Sequence, residues 1–174
     1  MKHALSLVFV LSATCAPADD WPQFHGPKRN NKSPDTGLLK EWPEGGPSRL
    51  WEAAGIGEGY STVAIVGGRI YTTGAIDDDC VITALDMEGK KVWTRANGQA
   101  WGRSYPGTRS TPTITDDGLL YHESGTGNLV CLDADGGEVI WSANILEQFD
   151  GRNITWGLAE SPLVVGDNVI CTPG

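Results

Sequence analysis

Beyond the first eighteen residues, hydrophobic positions come in short runs and never at helical spacing. Runs rich in β-branched and aromatic side chains are bounded by Gly, Asp or Asn, the pattern of short strands closed by tight turns. One set predicts strands over Thr62–Val66, Arg69–Thr73, Val81–Asp86 and Lys91–Arg95. A second set predicts Thr111–Thr115, Leu119–Glu123, Leu129–Asp133 and Val139–Ala143. Leu158–Val165 and Asn168–Ile170 begin a third. Some runs are apolar at consecutive positions, such as Ile65-Val66 and Val139-Ile140-Trp141, as expected where both faces of a sheet are covered. No helix is expected past the N-terminal segment.

The runs repeat. Gly59-Tyr60-Ser61-Thr62-Val63-Ala64-Ile65-Val66 is echoed by Thr108-Arg109-Ser110-Thr111-Pro112-Thr113-Ile114-Thr115 and by Leu158-Ala159-Glu160-Ser161-Pro162-Leu163-Val164-Val165. Ala84-Leu85-Asp86 to Trp93 is echoed by Cys131-Leu132-Asp133 to Trp141. The intervals are 50 residues from Tyr71 to Tyr121, 47 from Asp86 to Asp133 and 48 from Trp93 to Trp141. Four short strands at a period of about 40–50 residues are the signature of propeller blades, which hide both faces only by stacking. The fold class expected is therefore all-β: a partial β-propeller of four-stranded antiparallel blades.

The turn residues agree. Asp86 and Asp133 end the third strand of each unit, where a carboxylate can accept backbone N–H groups. Gly89 and the Gly136-Gly137 pair follow, supplying positive φ. Trp93 and Trp141 stand on the outer strand, where an indole can dock on the next blade. Trp51, in the run 49–53, looks like the same position with no blade before it, and is expected to belong to a closing strand. The expected organisation is a signal peptide over 1–18, an extended N-terminal segment over 19–48, the closing strand at 49–53, blades at 57–97 and 101–145, and half a blade at 157–174. On this reading the chain is one piece of a larger ring.

Composition narrows the function. The net charge is -9 and the pI about 4.7, with no basic run. Nucleic-acid binding needs the opposite sign and is set aside. The apolar stretch Leu5–Leu11 is too short to span a bilayer, and Ala16-Pro17-Ala18 offers small residues to a signal peptidase. Cleavage after Ala18 and a periplasmic or secreted location are expected, with no membrane span. The alternative, lipidation at Cys15, lacks the usual Leu three positions upstream. Cleavage leaves Cys80, Cys131 and Cys171, an odd count without a Cys-x-x-Cys pair. They are read as small buried apolar residues, not a disulfide framework.

The repeat Ala-Leu-Asp-x-x-x-Gly-x-x-x-Trp resembles the tryptophan-docking repeat of quinoprotein alcohol dehydrogenases and their non-catalytic relatives. Cys131–Trp141 has the full spacing, and Ala84–Trp93 is one residue shorter. The opening Asp20-Trp21-Pro22-Gln23-Phe24-His25-Gly26-Pro27, then Thr36–Pro43, resembles exported bacterial proteins of the PQQ-binding-like propeller group, common in planctomycete-type genomes. The resemblance implies seven or eight blades when complete. WD repeats fit less well, because there Trp-Asp closes the third strand. Kelch repeats need a Gly-Gly pair where Thr72-Thr73 and Glu123-Ser124 stand.

In a propeller the loops leading into the innermost strands surround the mouth of the channel. These are residues 57–61, 101–110 and 152–161. Their aromatic, Arg and hydroxyl side chains suit a planar anionic ligand held by stacking and paired hydrogen bonds. Tyr60, Ser61, Trp101, Arg103, Arg109, Ser110, Trp156, Glu160 and Ser161 are the candidates. The competing structural reading has Trp101 and Trp156 covering the core and Arg109 pairing with Glu160. Trp51, Asp86, Gly89, Trp93, Asp133, Gly136 and Trp141 are assigned to blade docking. No catalytic or metal residue is assigned. His25 and His122 are read as structural, and Asp77-Asp78-Asp79 as a solvated turn. Asn153-Ile154-Thr155 matches a glycosylation acceptor, which carries little weight in a bacterial chain.

By the resemblance, a quinone enzyme needs an adjacent Cys-Cys, an Asp base, and Glu and Asn ligands for calcium. No Cys-Cys occurs here. The leading expectation is an exported, non-catalytic scaffold with no cofactor, binding a protein partner or small ligand at the propeller face. The alternative is a PQQ- and calcium-dependent alcohol or sugar dehydrogenase whose remaining site lies beyond this chain.

Overall fold

The computed structural model describes residues 18–173. The expected signal peptide up to Pro17, with Cys15, and the last residue, Gly174, lie outside the described residues. The chain forms two four-stranded antiparallel sheets and a hairpin. The first sheet holds β1 (Ala64–Val66), β2 (Arg69–Ile76), β3 (Asp79–Asp86) and β4 (Lys91–Gln99) in chain order. The second holds β5 (Thr113–Ile114), β6 (Leu119–Glu123), β7 (Asn128–Asp133) and β8 (Val139–Asn144), also in chain order. The hairpin is β9 (Leu163–Val165) with β10 (Asn168–Ile170). Up-and-down order with stacked sheets is propeller-blade architecture.

The repeat extends to the register. Tyr71 faces Ala84 as Tyr121 faces Cys131. A bulge between Ala84 and Leu85 recurs between Cys131 and Leu132, just before the turn aspartates. Asp86 Oδ1 accepts from Glu88 N at 3.1 Å and Lys90 N at 2.8 Å. Asp133 Oδ2 accepts from Gly136 N at 2.7 Å. Positive φ falls on Gly89 and Gly137 (80° and 75°) but not on Gly136, whose role is that captured amide.

Strand ends differ from expectation where pairing overrides local pattern. β2 and β3 meet in the Asp77-Asp78 turn, with Asp77 at φ 53°, and both run further than the apolar residues alone indicate. The innermost strands are shorter than expected. β5 does not extend back through Pro112, which has no N–H to donate. Residues 49–53 pair with no strand among the described residues. One unanticipated turn of helix, α1 (Ile145–Gln148), follows β8. Asn144 caps it, accepting from Leu146 N and Glu147 N at 3.1 Å each. Ile145 drops into a small cluster with Leu129 and Leu158.

The main core lies between the two sheets. Ala64, Tyr71, Ile82 and Ala84 of the first pack against Ile114, Leu120, Val130 and Leu132 of the second. At about 25 cal/mol per Å² of apolar surface removed from water, this burial stabilises both sheets together. Trp93 pins it from outside: Nε1 donates to Ala134 O at 3.1 Å, and the ring covers Gly137, where a Cβ would lie 2.7 Å from it. Arg95 Nε donates to Gly137 O at 2.7 Å. Trp51 stands over Gly89 in the same way, at 2.6 Å from the Cβ position. Within its own sheet Trp141 lies 6.0 Å from Tyr121, as Trp93 lies 6.1 Å from Tyr71.

Successive innermost strands are also joined by hydroxyls. Thr62 N donates to Thr111 Oγ1 at 3.2 Å, and Thr111 N donates to Ser161 Oγ at 2.9 Å. Among the described residues no helix is long and apolar enough to cross a membrane.

Candidate functional site at the channel mouth

The three loops that lead into β1, β5 and β9 are fixed before they present any side chain. Glu58 exchanges backbone hydrogen bonds with Ala75 of β2, at 2.9 and 2.7 Å. Gly57 lies where a Cβ would strike Ala75 O at 2.6 Å, and its φ of 87° is left-handed, so a side chain there is excluded twice over. Tyr60 N then donates to Thr108 O at 2.7 Å, tying the first loop to the second.

On this base stands an aromatic cluster around one cation. The Arg109 guanidinium lies 5.6 Å from the Tyr60 ring centre. Tyr105 and Trp156 meet at 5.6 Å with planes 47° apart. These four side chains line a cleft of about 320 Å³. The rings are open to solvent, with Tyr60 59%, Tyr105 64% and Trp156 52% exposed. Arg109 is not a free fork, however. Nη1 donates to Gly107 O at 3.3 Å, and Nη2 donates to Ser104 O at 3.1 Å and to Tyr105 O. It clamps its own loop and offers its π-face to Tyr60, so a paired hydrogen bond to an anion would cost the loop its anchor.

The remaining candidates separate by depth. Trp101 is buried, donates from Nε1 to Ser104 O at 3.0 Å, and packs over Gly125 and Gly157. Arg103 lies 5.7 Å from its ring centre. Beside it a cavity of about 780 Å³ opens between this loop and the β2–β3 turn, with Glu58, Asp77, Asp78 and Arg103 on its walls. Ser61 donates to Thr62 O at 2.9 Å. Ser110 is buried, and its hydroxyl has no partner among the described residues. Ser161 belongs to the inter-blade hydroxyl ladder. Glu160 accepts from Thr172 N and from Thr172 Oγ1, the latter at 3.0 Å, and is not paired with Arg109.

Tyr105 lies in the mouth loop 101–110 but does not stand out there; its φ of 52° is invisible in the sequence pattern. Glu123 shows only in the alignment of repeats. It occupies the position of Thr73, whose hydroxyl bonds Thr108 Oγ1 and Ser110 O across the first seam, at 3.0 and 3.1 Å. Glu123 is buried, and neither oxygen has a hydrogen-bond partner among the described residues. Burial, with the nearby Glu160 carboxylate adding to it, pushes Glu123 up to about 8, so it is neutral at pH 7. The same seam pushes Cys171 up to about 11, through burial first and then Glu123 and Glu160. His122 points the other way along β6. Its Nδ1 accepts from Asn97 Nδ2 at 3.0 Å, leaving the proton on Nε2, which has no partner among the described residues, and burial holds it down to about 3.

Fold, repeat and docking tryptophans together define a β-propeller of the quinoprotein-like class, built from PQQ-type repeats. The family model described as outer membrane protein assembly factor BamB matches residues 38–174, and the chain belongs to that family. Among solved structures, BamB from Moraxella catarrhalis aligns at 24% identity and a TM-score of 0.50, over 69% of this chain and 35% of that one. A europium-containing methanol dehydrogenase aligns at 19% and 0.52, over 70% and 22%. Quinohemoprotein alcohol dehydrogenase from Comamonas testosteroni aligns at 21% and 0.49, over 66% and 17%. The chain thus spans about a third or less of the solved structures it resembles. No curated protein matches it.

The side chains present do not assemble a calcium cage. Among the described residues no three His, Cys, Asp or Glu side chains lie together as ligands. Both Glu160 oxygens are already engaged by Thr172, and the fork of Arg109 is committed to carbonyls.

Proposed function

We propose that the protein is an exported, non-catalytic propeller whose channel-mouth face holds a protein partner, in the manner of an assembly scaffold. The observation that carries this is the cluster of Tyr60, Tyr105 and Trp156 around Arg109. Three open aromatic rings beside a stacked guanidinium have the composition of an interface hot spot, where Tyr, Trp and Arg supply large contact area at low entropy cost. Membership of the BamB family supports the same role, since that family is described as an outer membrane protein assembly factor. Such a role places the mature protein in the periplasm, at the outer membrane, or outside the cell.

Photo-cross-linking residues placed at Tyr60, Tyr105 and Trp156 in the full-length exported protein test this. The expected result is one specific adduct from the three mouth positions and none from control positions on β8. Adducts that do not differ between mouth and β8 would overturn it. So would turnover of alcohols or sugars with dye reduction once PQQ and calcium are added.

A further inference from the structure

Among the described residues β1, β5 and β9 each pair with one strand, which leaves their inner edges without a second strand. In a propeller these edges face the central channel, and unpaired N–H and C=O groups there need partners. The chain supplies them from its own N-terminal segment. Trp21 exchanges backbone hydrogen bonds with Ile65 of β1, at 2.7 and 2.9 Å. One residue on, Pro22 O accepts from Ile114 N of β5 at 2.8 Å. Further along, Arg29 Nη2 donates to Val164 O of β9 at 2.6 Å. Successive parts of residues 21–29 therefore meet the inner edges of three successive units. Asp20 adds a fourth tie, its Oδ1 accepting from Gly67 N at 3.1 Å in the β1–β2 turn.

The segment is shaped for this path. The Trp21 ring lies over Gly26, where a Cβ would come within 2.7 Å of it and where φ is 78°. His25 is also left-handed, at φ 70°, and its Nδ1 is bonded to Asn31 Oδ1 at 2.8 Å. Arg29 Nε donates to Gln23 Oε1 at 3.1 Å, closing the loop on itself. The contacts fall on β1, β5 and β9 and on the β1–β2 turn, which lies at the opposite end of β1 from the Tyr60 loop.

We propose that residues 20–31 form a channel strap. The strap spaces the inner edges of adjacent blades and closes the channel end opposite the mouth, so that ligands and partners reach the channel from the mouth face alone. This does not rest on the aromatic cluster being a binding surface.

Hydrogen exchange on the full-length protein tests it, comparing wild type with Trp21→Ala and Gly26→Ala. The expected result is that the amides of Ile65 and Ile114 exchange about tenfold faster or more in both variants, while β3 and β7 amides keep their wild-type rates. A Val63→Cys probe, beside the Trp21 and Phe24 rings in the strap cleft, is expected to react faster with a small thiol reagent when Trp21 is truncated. Unchanged exchange at Ile65 and Ile114 would overturn the strap, as would exchange rising equally through β3 and β7. If neither variant folds, Arg29→Ala removes only a side-chain tie, and faster exchange confined to the β9–β10 hairpin is then the supporting outcome. No change there overturns the proposal.

Discussion

The indole of Trp93 and the backbone of Gly137 are one contact made by two sheets: the ring from β4 covers the glycine that turns β7 into β8. Trp51 and Gly89 make the same contact one unit earlier. Strand β4 thus grips the last turn of the next blade, and Trp51 makes the equivalent grip from a segment that pairs with no strand among the described residues. Gly137→Ala adds a methyl 2.7 Å from the ring at a residue with φ 75°. The expected loss is about 2 kcal/mol or more, from left-handed backbone strain plus displacement of the indole. Trp93→Ala is expected to cost about 3 kcal/mol. Urea unfolding of the two single variants and the double variant checks both, and coupling between them is expected because they share one contact.

The hydroxyl ladder gives a second test. Ser161→Ala strips the acceptor from Thr111 N, a backbone donor in the buried seam. A loss of about 1–2 kcal/mol is expected, the cost of leaving one buried donor unpaired. Ser61→Ala, whose hydroxyl bonds the neighbouring Thr62 O, is expected to change stability by less than about 0.5 kcal/mol.

His122 and Glu123, neighbours on β6, set opposite limbs of the pH profile. Burial lowers His122 from 6.5 to about 3, so its contribution is complete above pH 6.5 and is lost as pH falls toward 3. Burial raises Glu123 from 4.5 to about 8, so its contribution is complete below pH 4.5 and is lost as pH rises toward 8. Between 4.5 and 6.5 the two slopes oppose each other, and a stability plateau is expected there. Glu123→Gln is expected to flatten the fall above pH 6.5, a change of order a few kcal/mol by pH 8. Denaturant midpoints from pH 4 to pH 9 measure it; an unchanged alkaline limb in the variant contradicts the assignment.

Arg109 is a clamp, and charge alone does not replace it. Arg109→Lys keeps the cation but cannot reach three carbonyls in one plane. Both Arg109→Lys and Arg109→Ala are expected to loosen residues 104–107, read as faster amide exchange at Gly107, with β6 and β7 unaffected. The same variants are expected to lower the cross-linking yield from Tyr105.

Cys80 and Cys131 are buried, and burial pushes the Cys80 thiol up to about 12. Alkylation of both at pH 8 is expected only as fast as the protein unfolds, while the half-buried Cys171 reacts first. A mass-resolved time course of iodoacetamide labelling checks the order.

The sequence by itself determined the repeat, the strand order within each unit and the turn chemistry. These are local: Asp86 and Gly89, or Asp133 and Gly137, build the same turn from residues within a few positions. The indole spacing that marks docking is likewise a matter of period. Contacts between distant segments left no periodic mark. That the Trp21 segment lies along β1 and β5, that Arg109 spends its fork on its own loop, and that Ser161 belongs to a seam follow from which edges and donors remain unpaired once the sheets stack. The one-turn helix after Asn144 was too short for periodicity to register. The tertiary structure also decided the ionisation of His122 and Glu123, because the charge a side chain keeps depends on the water its neighbours remove.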